Sequence, residues 1–461
     1  MVRQLFYFAF LCAGLGLVAA QTPGKLQEKH PKRDTWECTK RHGCKKQKSH
    51  VVIDQSSHPN YQKDNPELNC GDWGSAPNAT ICPDETTCAK NCIVEGIPDY
   101  SKVGVTTKGG NLFLTQLNDE GEVVTPRVYL LDENDKEYEM LRLTGREFSF
   151  DVDTSKLPCG MNGALYLSEM KKDGGKSKLN PGGARYGQGY CDAQCFTFPF
   201  VEGVVSIPTE ASIKIFADQK PGHIEGKGAC CNEMDVWEAN RRATSIAPHI
   251  CKHDGLYKCI GEECEFKGEC DEWGCSYNPY ALGNEGFYGP GLVVDTNRPY
   301  TVVTQFPAVN GKMTEIRRLY VQDGKVIQNA VVDITGPPVQ NFMDDNYCTN
   351  KPGSERYMEL GGMAQMGGAL SRGMVLIFSI WWDEAGFMQW MDGLSSGSGP
   401  CNATEGDPKN ILKIQPEPAV TFSNVKWGEI DSTYTCNKGP GDRPPPYGDP
   451  RHGHHGSNSR Q

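Results

Sequence analysis

Residues 230–240 read CCNEMDVWEAN and place three carboxyl groups, those of Glu233, Asp235 and Glu238, within six residues. If the segment is a strand, Glu233 and Asp235 point to one face and Glu238 is out of phase by one residue. Five extended residues would also span roughly 16–17 Å. A helix does no better, because positions i and i+5 diverge by about 140°. We therefore expect a strand with a bulge between Asp235 and Glu238, which restores the facing and shortens the gap.

Two carboxyl groups on opposite sides of a cleft are the usual means of breaking a glycosidic bond. In retaining enzymes they lie ~5–5.5 Å apart, which a fully extended segment could not achieve. Three acids close together also raise the pKa of one another, as a proton-donating carboxyl requires. The spacing alone is also compatible with an acidic, solvated edge strand, so the choice depends on the rest of the chain.

Further motifs occur in order along the chain. They are CPDETTC at 82–88, RVYLL at 127–131, CGMNGALY at 159–166, GYCDAQC at 189–195, FYGPG at 287–291 and GMVL at 373–376. With the acidic segment, this ordered set resembles glycoside hydrolase family 7, the fungal cellulases, over nearly the whole mature chain. The resemblance implies a catalytic domain at residues 21–435 with an all-β, concanavalin-like jelly-roll sandwich. Two large antiparallel sheets would pack together, and long loops would form a substrate cleft.

The residue pattern by itself also favours an antiparallel sandwich. Residues 146–152 alternate apolar and polar, and residues 318–327 read as a hairpin that turns at Asp323-Gly324. Residues 300–304 and 374–380 are rich in β-branched and aromatic residues, as in buried strands. No long helical periodicity is evident, and 52 glycines and 30 prolines punctuate the chain.

The two ends of the chain differ in composition from the rest. Residues 1–20 contain Arg3, an apolar run from Leu5 to Leu17 and small residues, as in a signal peptide, so we expect a secreted, extracellular protein. No other apolar run reaches membrane length, which argues against a membrane partner. The net charge of −11 argues against nucleic acid. Residues 436–461 are rich in Gly, Pro and His and predict a disordered tail without a metal.

The cysteine content indicates an oxidising compartment. The chain has 20 cysteines, and loss of Cys12 with the signal leaves 19. The resemblance implies nine disulfides, with Cys436 left over. They are Cys38–Cys44, Cys70–Cys92, Cys82–Cys88, Cys159–Cys401, Cys191–Cys231, Cys195–Cys230, Cys251–Cys270, Cys259–Cys264 and Cys275–Cys348. Asn78 and Asn402 begin glycosylation sequons.

The resemblance also implies roles for individual residues. Glu233 would be the nucleophile, Glu238 the acid/base, and Asp235 a partner that holds Glu233. Trp381 and Trp390 would stack on sugar rings, whereas strand alternation would turn Trp382 away. His249 would lie near the acid/base, in a structural or a catalytic role. The remaining residues expected to line the cleft are Arg127, Asn162, Tyr166, Asp192 and Gln194, of which Asn162 and Tyr166 could equally be structural.

Loop lengths favour an endo-acting enzyme. Only ten residues, 391–400, separate Trp390 from Cys401, as in endoglucanases, and residues 54–58 read DQSSH without a tunnel-mouth tryptophan. The long stretch from Cys195 to Cys230 instead matches exo-acting relatives. We expect a monomeric, cofactor-free endo-1,4-β-glucanase that cleaves β-1,4-glucan with retention. The alternatives are a cellobiohydrolase of the same family and a lectin-like sandwich that binds glucan without cutting, although pure binding would not need the acidic pair.

Overall fold

The computed structural model describes residues 21–71, 79–198, 200–205, 227–332 and 339–434. The predicted signal peptide at 1–20, the sequon at Asn78 and the tail at 436–461 with Cys436 lie outside the described residues. Within those ranges, no helix is both long enough and apolar enough to cross a membrane.

Sixteen strands form the main sheet system. In chain order they are β1 (Lys32–Thr39), β2 (Gly43–Ile53), β3 (Val105–Lys108), β4 (Asn111–Thr115), β5 (Arg127–Leu131), β6 (Met140–Leu141), β7 (Arg146–Asp153), β8 (Met161–Ser168), β9 (Glu233–Ala239), β10 (Thr244–His249), β11 (Tyr300–Gln305), β12 (Glu315–Gln322), β13 (Lys325–Gln328), β14 (Phe342–Asp344), β15 (Met374–Trp382) and β16 (Ala419–Glu429).

Shorter elements decorate this system. The α-helices are α1 (Glu85–Asn91), α2 (Asp345–Asn350), α3 (Glu355–Glu359), α4 (Gly362–Arg372), α5 (Gln389–Asp392) and α6 (Pro408–Ile414). The 3₁₀ turns are Gln55–Ser57, Tyr100–Val103, Gly183–Tyr186 and Gly261–Cys264. The short strands are Thr22–Pro23, Asn60–Gln62, Asn65–Asn69, Cys92–Val94, Phe200–Val201, Val204–Val205, Lys227–Cys230, Tyr257–Ile260, Tyr288–Gly289, Val294–Asp295, Ala308–Val309 and Lys312–Met313.

The main strands run in the order β10-β9-β8-β15-β5-β2-β1-β16-β7-β11-β12-β13. Their pairings are antiparallel except for that of β1 with β16. The two halves of this order pack face to face. The Phe378 ring of β15 lies 5.3 Å from the Phe422 ring of β16, and the Trp237 ring of β9 lies 6.1 Å from that of Phe150 on β7. The expected sandwich of two large sheets is confirmed.

Side-chain alternation gives two different faces to the sheet that contains β8, β15 and β5. On β8, Met161 and Leu165 join the core between the sheets, while Ala164 and Tyr166 belong to a separate apolar cluster on the outer face. Strands β15 and β5 alternate in the same way, so one face of each strand is available to form a cleft. The hairpin predicted at 318–327 is also present, and Asp323 turns at a φ of 51° between β12 and β13.

Helix α4 was not predicted from the sequence. Its eleven residues include Gly362, Gly367 and Gly368, which are poor helix formers and hide the periodicity. A Cβ on Gly367 would come within 2.5 Å of Met313 Cβ, so the close approach of the helix to that residue requires a glycine. Packing, not helix propensity, therefore places α4.

The structure pairs the cysteines in the same nine combinations that the resemblance implied. The disulfide Cys159–Cys401 closes the longest separation, 242 residues. It connects the segment before β8 to the loop after α5. Three bridges, Cys191–Cys231, Cys195–Cys230 and Cys251–Cys270, surround the start of β9. Covalent links therefore concentrate beside the acidic strand.

We predict that Gly428→Ala destabilises the junction of the two sheets. Gly428 on β16 pairs with Cys38 on β1, and an added Cβ would overlap the Cys38 carbonyl group, whose carbon would lie 2.7 Å away. Overpacking of this kind costs about 1–3 kcal/mol of unfolding free energy. Thermal or denaturant unfolding measures the loss. The matched control is Gly286→Ala, because a Cβ there would meet nothing within 4 Å. Equal stability of the two variants would contradict the prediction.

Candidate active site

The three acidic side chains lie on one face of β9 because the strand contains an extra residue. Tyr166 of β8 alone stands opposite two residues of β9, Asp235 and Val236. On the β10 side, the register shifts between Asp235 and Glu238. The extra residue resets the alternation and returns Glu238 to the face of Glu233. The predicted bulge is confirmed, and Val236 meanwhile stays in the core between the sheets.

His249, at the end of β10, is held as an imidazolium ion. Its Nε2 lies 3.0 Å from Asp235 Oδ2, and its Nδ1 lies 3.1 Å from the carbonyl oxygen of Asp271. A carbonyl oxygen only accepts hydrogen bonds, so Nδ1 donates there while Nε2 donates to the carboxylate. Burial alone would lower the pKa of His249, but the hydrogen bond and charge of Asp235 raise it to about 10. The site thus contains one fixed positive charge.

Glu238 is a half-buried carboxyl group with a raised pKa. Burial, followed by the charge of Asp235, raises the pKa of Glu238 to about 8. Its Oε1 accepts a hydrogen bond of 3.0 Å from Asn162 Nδ2 on β8. The Asn162 side-chain oxygen accepts from the Ala239 N–H at 3.1 Å, which fixes the orientation of the amide. Asn162 therefore positions Glu238 through a polar contact and is fully buried.

Glu233 has a different set of neighbours. Burial raises its pKa well above the ordinary value, and the charges of Asp235 and Asp192 add to this effect. Two groups oppose it: the imidazolium of His249, which pairs with Glu233 across β9 and β10, and the Ala193 N–H, 3.1 Å from Glu233 Oε2. Glu233 and Glu238 therefore titrate as parts of one coupled cluster around Asp235.

The loop that supplies the Ala193 N–H is shaped by Asp192. Asp192 Oδ1 accepts hydrogen bonds from the N–H groups of Gln194 at 3.0 Å and Cys195 at 3.1 Å. Gln194 Nε2 in turn donates to the Glu272 carbonyl oxygen at 3.0 Å. The structure thus places Asp192 next to Glu233, whereas Gln194 connects this loop to the segment around Glu272.

Arg127 on β5 and Tyr166 on β8 lie on the same face, on the two strands that flank β15. The guanidinium of Arg127 lies 3.6 Å from the centre of the Tyr190 ring, and the Tyr166 hydroxyl is 3.1 Å from the Tyr190 hydroxyl. Arg127 Nη2 donates to Asp54 Oδ2 at 3.0 Å, and the Tyr129 hydroxyl donates to the same oxygen. Sequence analysis did not assign a role to Asp54 or Tyr190. Tyr190 stands inside a quoted motif, but nothing local marks Asp54, 73 residues from Arg127.

The two predicted platform tryptophans come together. The Trp381 and Trp390 rings lie 6.2 Å apart at an angle of 25°. Trp381 on β15 pairs with Asn162 on β8, so this pair lies beside the carboxyl cluster. Trp390 is 46% exposed, while Trp382 points into the core as predicted.

Other predicted or candidate positions lie away from this face. Asn402, in the second sequon, is exposed. Three clusters of possible metal ligands occur among the described residues, but every cysteine in them is bonded in a disulfide. They are Cys70, Cys82 and Cys92; Cys195, Cys230 and Cys270; and Cys159 and Cys401 with Glu405.

Asp392 is a buried acid that connects the Trp390 helix to the acidic strand. Its Oδ2 accepts hydrogen bonds from the Gly160 N–H at 2.8 Å and from Asn240 Nδ2 at 2.6 Å. Asn240 directly follows β9, and Gly160 precedes β8. Burial raises the pKa of Asp392 to about 6 from an ordinary value of 3.8.

We predict that Asp392→Asn stabilises the protein above pH 6. A raised folded-state pKa means that the wild-type free energy of unfolding falls as pH rises from about 4 to about 6, by about 3 kcal/mol in total. An amide oxygen can accept the same two hydrogen bonds without a charge. As pH rises from 4 to 8, the unfolding midpoint of the wild-type protein should therefore fall relative to that of Asp392→Asn. Asp119→Asn, at an exposed site, is the control and should follow the wild-type protein. Parallel curves for wild type and Asp392→Asn would contradict this.

Comparison with known proteins places this geometry in context. The model of glycosyl hydrolase family 7 matches residues 23–434. Endoglucanase type C of Fusarium oxysporum is 54% identical over 424 residues, which cover 90% of this chain and 94% of that protein. The solved structure of the Humicola insolens endocellulase EGI is similar with a TM-score of 0.83 at 52% identity, covering 90% of this chain and 100% of the other.

A more distant solved structure has the same fold. The family 7 cellobiohydrolase of Daphnia pulex is 33% identical, with a TM-score of 0.80, and the match covers 89% of this chain and 100% of that one. The similarity thus extends over the whole sandwich and not only over the acidic segment. Given the family match over residues 23–434, this chain belongs to glycosyl hydrolase family 7.

Proposed function

We propose that the protein is an extracellular endo-1,4-β-glucanase that hydrolyses internal bonds of cellulose and related β-glucans with retention of configuration. The observation that carries this proposal is the bulge in β9, which brings Glu233 and Glu238 to one face on either side of Asp235. A half-buried carboxyl with a pKa of about 8 beside a second carboxyl is the equipment that a retaining glycosidase needs.

In the first step, Glu233 attacks the anomeric carbon and forms a glycosyl ester, while the bond from that carbon to the leaving oxygen breaks. Glu238 gives its proton to the leaving oxygen. In the second step, the Glu238 carboxylate takes a proton from water, and the water oxygen attacks the anomeric carbon. Glu233 leaves as a carboxylate, so both residues return to their starting forms with net retention.

Local electrostatics supports this division of roles. His249 and the Ala193 N–H both favour negative charge on Glu233, since a cation and a hydrogen-bond donor stabilise a carboxylate. Burial and the charge of Asp235 favour the protonated form of Glu238, and they outweigh the opposing Asn162 hydrogen bond and His249 charge. Asp235 remains paired with His249 at 3.0 Å and separates the two groups. We infer that the cluster carries its shared proton on Glu238.

The same face offers contacts for sugar rings. Trp381 and Trp390 supply aromatic surface that suits the C–H faces of glucose, and Arg127, Tyr166, Asp192 and Gln194 supply polar groups at other positions. Such a mixture of apolar area and a few orienting groups is typical of ligand sites. This proposal needs no cofactor, and the chain is expected to act as a monomer.

Three observations favour internal cleavage over a cellobiohydrolase. The loop from Trp390 to Cys401 is short, and the endoglucanase relative is 54% identical whereas the cellobiohydrolase structure is 33% identical. A cavity of about 280 Å³, lined by Asp54, His58 and Tyr190 among others, also lies where exo-acting relatives would carry a tunnel-mouth tryptophan. An open cleft admits the middle of a chain. A glucan-binding lectin would not need a proton-donating acid.

We predict that Glu233→Gln abolishes hydrolysis but retains binding of cello-oligosaccharides. The amide has nearly the same shape but is not a nucleophile, so turnover should fall by several orders of magnitude while the dissociation constant changes little. Reducing-end release on carboxymethylcellulose measures turnover, and calorimetry measures binding. The exposed Glu285→Gln variant is the matched control. Unchanged turnover of Glu233→Gln would exclude the mechanism.

The same substrate distinguishes the mode of cleavage in the wild-type protein. Cuts at internal bonds shorten chains quickly, so viscosity should drop early relative to the number of reducing ends released. A cellobiohydrolase would release mainly cellobiose and lower viscosity slowly. The second pattern would replace endo cleavage with the exo alternative while leaving the roles of the two carboxyl groups intact.

We also predict that Asp235→Asn lowers the pH at which kcat/KM declines on the alkaline side of its pH profile. Catalysis needs protonated Glu238, so the alkaline limb of kcat/KM reflects its pKa of about 8. Loss of the Asp235 charge removes a cause that raises this pKa, and the limb should move to lower pH. Asp64→Asn, at an exposed site, should leave the profile unchanged. An alkaline limb that stays in place or moves upward would contradict the proposed role of Asp235.

A further inference from the structure

An exposed aromatic pair lies in the segment between Cys251 and Cys275. Trp273 is 66% exposed and Phe266 is 43% exposed, although large aromatic side chains are usually well buried. Their rings stack with centres 5.6 Å apart at an angle of 23°. The proposed mechanism uses neither residue. Exposed aromatic surface of this kind marks a binding site more often than does a scattered apolar residue.

This aromatic pair is held in place beside the carboxyl cluster. Asp271 Oδ1 accepts the N–H groups of Trp273 at 3.3 Å and Gly274 at 3.1 Å, while the Asp271 carbonyl accepts from His249 Nδ1 at 3.1 Å. Gly274 adopts a φ of +67°, and a Cβ there would come within 2.7 Å of the His249 ring. In the sequence, Trp273 therefore lies between Asp271, which accepts a hydrogen bond from His249, and Gly274, which packs closely against the His249 ring. His249 in turn binds Asp235.

A second contact connects the same segment to the loop that holds Glu233. Gln194 Nε2 donates to the Glu272 carbonyl oxygen at 3.0 Å, directly before Trp273. The disulfides Cys251–Cys270 and Cys259–Cys264 cross-link the segment internally. The two residues that precede Trp273 are thus hydrogen-bonded to His249 and to Gln194, which ties this segment to β10 and to the loop that holds Glu233.

The two aromatic groups flank the carboxyl cluster. In the strand order β10-β9-β8-β15, Trp381 lies on β15, while the Trp273 segment adjoins the end of β10 at His249. Glu233 on β9 pairs with His249 on β10. Asn162 on β8 pairs with Trp381 on β15, and the Asn162 side chain donates a hydrogen bond to Glu238. The segment that carries Trp273 thus adjoins the β10 side of the cluster, while Trp381 lies on its β15 side.

The charge of the segment restricts what the pair can bind. Acidic residues outnumber basic ones between Cys259 and Cys275, where the only lysine is Lys267. The acidic residues are Glu262, Glu263, Glu265, Glu269, Asp271 and Glu272. An anionic ligand would be repelled, whereas the C–H face of a neutral sugar suits an aromatic ring.

We propose that Trp273, supported by Phe266, is a sugar-stacking platform at the rim of the cleft. It binds a glucose unit of a β-1,4-glucan chain on the side of the carboxyl cluster away from Trp381. This inference rests on the proposed function and extends the length of chain that the site recognises. Trp273 is a specificity-determining residue and takes no part in the bond-breaking steps.

The test measures binding of cello-oligosaccharides from two to six glucose units to the Glu233→Gln protein and to the same protein with Trp273→Ala. Affinity should rise with length in the parent, and Trp273→Ala should weaken binding of the longest ligand roughly tenfold, which corresponds to about 1.4 kcal/mol. Trp273→Tyr keeps a ring and should recover most of the affinity. Ile260→Ala removes another exposed apolar side chain from the same segment and should change nothing.

A second measurement uses the active enzyme. In the wild-type background, Trp273→Ala should raise KM for cellohexaose and leave kcat within about twofold, because the platform does not touch the reacting atoms. Its unfolding midpoint should match that of the wild-type protein. Identical affinities of the parent and Trp273→Ala for every length would overturn the platform alone. A parent that binds no cello-oligosaccharide, together with an inactive wild-type protein, would overturn the proposed function and the platform with it.

Discussion

One additional residue in β9 controls the arrangement of the site. Without it, strand alternation would direct Glu238 into the core between the sheets, and the apolar side chain of Val236 or Trp237 would occupy the open face. The bulge lets Met234, Val236 and Trp237 remain in the core while all three acids share the other face. The neighbouring strands fix this irregularity, since β8 and β10 are both hydrogen-bonded across it. The neighbouring strands therefore hold the bulge in place, and the bulge brings the three carboxyl groups to one face.

The second constraint is charge. Three buried carboxyl groups would repel one another strongly, and burial would favour their neutral forms. His249 offsets part of this repulsion because its two ring nitrogens both donate, one to Asp235 and one to the Asp271 carbonyl. The carbonyl group of Asp271 thus orients the His249 ring, and Gly274 is required for the close approach of this segment. Trp273 lies two residues after Asp271 in this segment, which the Cys251–Cys270 disulfide also ties to the chain that follows β10.

The opposite end of β9 is anchored in another way. Asn240 donates a hydrogen bond to Asp392, which lies on the same helix as Trp390. The Cys159–Cys401 bridge joins the segment before β8 to the loop after this helix. The Trp390 helix and the acidic strand β9 therefore share one buried carboxyl group as a common point of attachment. An anionic Asp392 is costly in so dry a place, but it accepts two hydrogen bonds that a hydrophobic residue could not. Precise placement of Trp390 relative to Glu238 thus depends on a group that does not touch the ligand.

Short-range alternation and turn chemistry were enough to predict the strands at 300–304 and 374–380 and the hairpin at Asp323-Gly324. The bulge was predicted from alternation together with the carboxyl separation that a retaining enzyme requires. Resemblance to a family added the cysteine pairing and the proposed roles of the acids. Long-range packing is what makes Asp54 hold Arg127, joins β9 to the Trp390 helix through Asp392, folds the glycine-rich residues 362–372 into a helix, and brings the segment of Trp273 to His249 through the Asp271 carbonyl. Each of these contacts joins segments distant in the chain, or depends on packing that overrides local propensity, and local sequence patterns carry no information about such pairs.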